Sequence, residues 1–185
     1  MNIYSVICRI LKGPTVRHLL CYSVTEQTLD YSYLNIMDIS IKKIGLNECK
    51  DVLAIRDEKV KRAFESMCTN SQIILAKWKG KIAGHAVLKP CGVKGGLGKV
   101  WKNRAYIHYC FVAPQYRGKN IYPNMLIFLS KAVFSKYPGT KVYISVERKN
   151  YPSIRGIEKS GFIPWAKLTE YGWGNIIFLR VLKEY

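Results

Sequence analysis

The hydrophobic pattern changes period in the middle of the chain. Residues 106–112, Tyr-Ile-His-Tyr-Cys-Phe-Val, are aromatic or β-branched and carry no charge, which predicts a strand buried on both faces. Pro114 ends it, because proline has no N–H to give to a ladder. Past a turn bearing Arg117, Gly118 and Lys119 the period becomes helical. Leu126, Leu129, Ala132 and Val133 recur with Met125 and Phe128 beside them, predicting a helix over 121–135.

The rest of the chain reads around this unit. Alternation over 35–44 predicts a first strand, and Asn47 can cap a helix running to Arg56. A further helix over 58–68 places Val60, Ala63, Phe64 and Met67 on one face. Residues 73–78 and 82–89, joined at Lys79-Gly80, predict a hairpin. A short strand over 141–146 precedes a helix over 153–159, which Gly161 stops. Residues 162–170 and 175–183 predict a closing hairpin across Tyr171-Gly172-Trp173-Gly174.

Ahead of residue 35, Ile3, Val6, Ile7, Ile10 and Leu11 recur at helical spacing among Arg9 and Lys12, and Gly13-Pro14 ends the run. This short basic amphipathic helix would pack on the domain or on a second subunit, or anchor the chain to an anionic membrane face. Residues 18–24 suit a strand or a helix start equally. Residues 1–34 thus form an extension ahead of the elements read over 35–185.

A buried strand, a glycine-bearing turn and a helix are the ingredients of a phosphate site. The first N–H groups of a helix have no partner within it and lie at the positive end of its dipole. Gly118 lets a ligand approach the backbone, and Arg117 and Lys119 add charge there. By itself the stretch suits an ordinary solvated turn equally well. A second glycine-rich stretch, 90–103, ends in Gly98-Lys99 but fails as a nucleotide loop, because Val100 stands where Ser or Thr would hold magnesium and no helix follows. It reads as a loop that can cover an acceptor, with Trp101 either packed at its base or stacking on a base or sugar.

The run Gln115-Tyr116-Arg117-Gly118-Lys119-Asn120, preceded by Val112-Ala113-Pro114, resembles the acetyl-CoA signature of the GNAT superfamily of N-acetyltransferases, Q/R-x-x-G-x-G/A. Downstream, Val146-Glu147-Arg148-Lys149-Asn150, Ser153 and Glu158-Lys159-Ser160-Gly161-Phe162 are similar to a second element of that family, V-x-x-x-N-x-x-A/S followed by E-K-x-G-F. The likeness covers 35–185. It implies an α/β (α+β) GNAT fold: a central mixed, mostly antiparallel sheet of six to seven strands flanked by helices, with the fourth and fifth strands splayed. It implies acetyl-CoA as cosubstrate, held by Phe111, Val112, Gln115, Tyr116, Arg117, Gly118, Lys119, Asn120, Ile121, Asn150 and Ser153.

Two positions depart from the pattern. Asn120 replaces the second small residue of the signature, although Asn tolerates left-handed backbone and can cap a helix. Ile157 stands where many members carry the tyrosine that protonates the leaving thiolate.

Transfer to an amine needs a proton removed, a carbonyl polarised and a sulfur protonated. Strand N–H groups at Phe111 or Val112 suit the carbonyl. A side-chain period of two puts His108, Cys110 and Val112 on one face, making His108 the leading base, as in the similar arylalkylamine N-acetyltransferases. A histidine satisfied in the core is the alternative. Glu147 can act through water, or pair with Arg148 or Lys149. Tyr151, Tyr143 and Tyr109 are candidates for the acid, among thirteen tyrosines that also serve as core and rim residues.

Composition narrows the partners. Thirty Lys and Arg against 12 acids give +18, so partners should be anionic. The wording Y-R-G-K-N-I-Y-P and S-I-R-G-I-E-K-S-G-F resembles enzymes of surface-polysaccharide clusters, such as the dTDP-fucosamine acetyltransferases. That implies a nucleotide-linked amino sugar as the small amine acceptor. Lipid-linked precursors, with peripheral membrane contact, and an inactive binding module remain as alternatives, as does a homodimer. Nucleic acid fits less well, for want of any RNP-type or zinc pattern. Six scattered cysteines without C-x-x-C spacing point to buried thiols, no metal and a cytoplasmic protein. No apolar run approaches the roughly 20 residues of a membrane span.

Overall fold

The computed structural model describes residues 13–33, 37–45, 48, 52, 71–91, 104–173 and 176–185. The helices expected over 1–12, 47–56 and 58–68 and the loop over 90–103 lie wholly or mostly outside these residues.

Eight strands form one sheet: β1 (Pro14–Val24), β2 (Ile39–Ile44), β3 (Gln72–Trp78), β4 (Lys81–Lys89), β5 (Ala105–Val112), β6 (Val142–Glu147), β7 (Ile163–Trp173) and β8 (Ile176–Glu184). Their spatial order is β2-β3-β4-β5-β6-β1-β7-β8. Every recorded pairing is antiparallel except β5 with β6 in the middle. Two helices are described, α1 (Ile121–Lys136) and α2 (Tyr151–Lys159). The mixed α+β GNAT architecture expected from the sequence is therefore present, with eight strands where six to seven were expected.

The expected extension is not separate from the sheet. β1 comes from residues 14–24 and lies between β6 and β7, pairing Cys21 with Ser145 on one side and with Ala166 on the other. Its inner half is buried, while its first residues are mostly exposed, and this mixed pattern conceals a central strand.

α1 is apolar nearly all round, as a helix sunk into a core must be. Met125, Leu126, Ile127 and Leu129 are inaccessible to solvent and meet Ile74, Ala86 and Ile107 of the sheet. On the opposite face, Ile73, Leu75 and Val87 form a second cluster with Ile44 and Val52. Farther along that face Tyr106, Leu19, Cys21 and Leu168 form a third.

β5 is irregular where the site requires it. Val87 pairs with His108 and His85 with Phe111, so Tyr109 and Cys110 together oppose a single residue of β4. Tyr109 carries the extra residue at φ 53. This β-bulge costs roughly 1–2 kcal/mol in backbone strain and turns the strand over.

Candidate active site

β5 and β6 run side by side only at their beginnings, through Ala105 with Val142, Tyr106 with Tyr143 and Ile107 with Ile144. Beyond Ile107 the recorded pairing stops and the strands part. The opening leads into a cleft of about 530 Å³ between the end of β5, the turn into α1, and α2.

The turn holds the shape its composition demands. Pro114–Tyr116 forms one turn of 3₁₀-helix, and the Arg117 N–H is taken by the Pro114 carbonyl. Gly118 follows at φ +78, and a Cβ there would meet nothing within 4 Å, so the turn is open on its ligand side. Asn120 adopts the left-handed conformation at φ 55, which keeps the turn despite the missing small residue. Its side chain makes no cap, contrary to the expectation for asparagine. Instead its carbonyl accepts from the Asn124 side chain at 3.0 Å. Among the described residues the N–H groups of Gly118, Lys119, Asn120 and Ile121 have no backbone acceptor, which leaves a row of donors at the head of α1.

Of the residues implied to hold acetyl-CoA, Phe111, Val112, Tyr116, Arg117, Gly118, Asn120, Ile121, Asn150 and Ser153 all line the cleft. Gln115 and Lys119 do not. Gln115 is exposed, and the Lys119 ammonium lies over the Trp78 ring at 4.8 Å. Arg117 lines the cleft while its Nε donates to the Val112 carbonyl at 3.3 Å. Asn150 caps α2, accepting from the Ser153 N–H at 3.3 Å, and so fixes the start of the second wall.

The cleft also has walls that the sequence reading missed. Arg155 and Lys159, one turn apart on α2, add two cations to Arg117. Their mutual i, i+4 spacing on a helix that Asn150 caps was the available signal. Cys110, Tyr122 and Gly156 complete the interior. A Cβ on Gly156 would sit 2.4 Å from Cδ1 of Tyr122, so the tyrosine crosses α2 where α2 has no side chain. The Tyr122 hydroxyl reaches the Cys110 sulfur, and the thiol points at the His108 carbonyl, 3.7 Å away. Burial drives the Tyr122 phenol well above its ordinary range and pushes the Cys110 thiol up to about 12, leaving both protonated at neutral pH.

His108, Glu147 and Tyr151 do not line the cleft. The bulge breaks the period of two, so His108 shares a face with Phe111 and Tyr106, opposite Cys110 and Val112. The expected common face of His108, Cys110 and Val112 is thus corrected by one residue in left-handed conformation. The His108 ring stacks on Tyr106 at 5.5 Å, and its Nε2 has no hydrogen-bond partner among the described residues. Burial first, and the Lys89 charge second, lower it to about 4. Glu147 pairs with Arg17 of β1 at 3.1 Å, rather than with Arg148 or Lys149. Tyr151 begins α2 with its ring in solvent.

Cys21, Cys91 and Cys110 are free thiols, and no group of three or more metal-ligating side chains occurs among the described residues. No described helix is long and apolar enough to cross a membrane.

Two strands part beside a helix start whose first N–H groups lack backbone acceptors, and the cleft lies at that split of the sheet. The family model described as the acetyltransferase (GNAT) family matches residues 46–162, and the chain belongs to that family. Among solved structures it resembles a GNAT acetyltransferase from Colwellia psychrerythraea, with TM-score 0.62 and 16% identity over 92% of this chain and 61% of the other. A GCN5-related N-acetyltransferase-like protein from Streptococcus suis gives 0.59 and 14%, over 94% and 68%. A glucosamine N-acetyltransferase region of a fungal multi-domain β-N-acetylglucosaminidase gives 0.62 and 12%, over 99% and 23%. The chain thus spans about three fifths of the first of these and under a quarter of the last. Among curated proteins none matches.

Proposed function

We propose that the chain transfers the acetyl group of acetyl-CoA to the amine of a small anionic acceptor, and that the acceptor is a nucleotide-linked amino sugar. The observation that carries the first half is the cleft itself. An open Gly118 turn and the unpaired N–H groups at the head of α1 suit a pyrophosphate. Arg117, Arg155 and Lys159 on the cleft walls suit the remaining phosphate charge. Phe111 and Val112 lie beyond the last recorded pair of β5 with β6, which suits an amide-bearing arm lying between the two strands. Acetyl-CoA supplies a thioester whose C–S bond breaks as the N–C bond forms.

The second half is supported more loosely. The surplus of cations exceeds what one cosubstrate uses, the signature wording resembles amino-sugar acetyltransferases, and one structural neighbour is described as acting on glucosamine. A pyrophosphate-bearing acceptor accounts for the charge, and acetyl-CoA with free thiols fits a cytoplasmic place of work.

We take His108 to act on the acceptor side. It is neutral at pH 7 and faces away from α1, so it is the group we assign to taking the amine proton. Glu147 and Tyr151 stand at the C-terminal end of β6 and the start of α2, where they would contact an acceptor rather than the cosubstrate.

Calorimetric titration with acetyl-CoA, followed by thiol release in the presence of UDP- and dTDP-linked amino sugars, tests the reading. Micromolar binding and turnover with nucleotide-linked over free amino sugars is expected. Binding without turnover on any amine would favour an inactive binding module, and no binding would remove the acetyltransferase reading altogether.

A further inference from the structure

Tyr122 of α1 lines the cleft beside Cys110 of β5 and Gly156 of α2. Ile157, at the position where many relatives have a tyrosine, is fully buried in the core. The residue before it is Gly156, and the ring of Tyr122 from the other helix occupies the space that Gly156 leaves. Any side chain at 156 would collide with that ring at 2.4 Å, so the glycine and the tyrosine are a matched pair. The Tyr122 hydroxyl interacts with the thiol of Cys110, a residue of β5 three positions past the last recorded pair with β6. The cleft therefore already accommodates an O–H···S contact at the split.

Resting on the acetyl-CoA reading above, we infer that Tyr122 is the proton donor to the leaving sulfur, delivered from α1 across Gly156. Tyr116 and Ser153, the other hydroxyl-bearing residues of the cleft walls, belong to the turn and to the first turn of α2. Cys110 holds the Tyr122 hydroxyl in place and is itself aimed at the His108 carbonyl. The step balances without a further reactant. The acceptor nitrogen forms a bond to the acetyl carbon, the C–S electron pair goes to sulfur, and Tyr122 gives sulfur its phenolic proton. His108 takes the proton that nitrogen sheds and releases it to solvent, and the phenolate regains a proton from solvent. Burial keeps the phenol protonated at neutral pH, as a donor must be.

The test reads ionisation of the bound thiol and needs no acceptor. CoA isotopically labelled at the carbon bonded to sulfur would be titrated by NMR while bound to the parent, to Tyr122→Phe and to Gly156→Ala. A hydroxyl donating to the thiolate stabilises the charged form, so the thiol should ionise about one pH unit lower on the parent than on Tyr122→Phe. Gly156→Ala keeps the hydroxyl but displaces the ring, and should shift the titration in the same direction. Acetyl-CoA affinity by calorimetry should stay within about threefold for Tyr122→Phe, which removes one oxygen only. Equal titrations on parent and both variants, with binding intact, would overturn the role of Tyr122 and leave the acetyl-CoA reading standing. A parent that binds neither CoA nor acetyl-CoA would overturn both.

Discussion

His108 shows how much one side chain's surroundings alter its chemistry. An unperturbed imidazole near 6.5 would change charge close to neutrality, but burial and Lys89 bring this one to about 4. The unfolded chain therefore binds more protons than the folded chain between about 6.5 and 4. Stability from this residue is complete above the upper value and falls as pH drops through the lower one. The whole effect is at most about 3 kcal/mol. Urea unfolding of the parent and His108→Gln at about pH 7 and about pH 4.5 should show a smaller acid loss in the variant. Equal losses would mean that His108 does not set acid sensitivity. Asn120 is the other residue whose conformation carries an expectation. Asn120→Gly keeps the left-handed turn at φ 55 and opens the head of α1, so acetyl-CoA binding should tighten severalfold with stability changed by less than about 1 kcal/mol. Weaker binding would show that the asparagine side chain contacts the ligand favourably.

At the scale of elements, α2 supplies both a wall and its charge. Arg155 and Lys159 are exposed and lie on the cleft, so Arg155→Ala with Lys159→Ala should weaken acetyl-CoA binding about tenfold or more with little change in melting temperature. Unchanged affinity would place the phosphates elsewhere. The elements themselves were largely legible from the sequence. The β3–β4 hairpin, α1, the β7–β8 hairpin and the glycine turn all follow from period, capping and turn residues, and most of the residues that line the cleft came with the turn. What escaped was non-local or confined to single residues. β1 is central only because β6 and β7, more than a hundred residues later, close on either side of it. The bulge at Tyr109 is a backbone choice by a residue type that rarely makes it, and it moved His108 to the other face. The pairing of Tyr122 with Gly156 joins two helices, and no spacing rule along one of them reveals it.

For the whole molecule, the position of β1 decides what can be removed. Residues 14–24 bridge β6 to β7, and the recorded contacts of β7 and β8 with the remaining strands run through them. A chain starting at residue 35 would leave the buried edges of β6 and β7 without partners and expose Leu168 and Ala166, which are now buried against Leu19 and Cys21. It would also release Glu170, 1% exposed, from Arg17 and leave it with Arg180 alone. Such a truncation is therefore unsuitable for testing whether the first residues bind membranes, because the sheet would fail before the question was asked. The expected outcome is an insoluble protein, or one that binds a hydrophobic dye and melts without a cooperative transition. A cooperative transition at the parent's temperature would instead show that β1 is an accessory to the sheet, and the domain would begin where the sequence pattern first placed it.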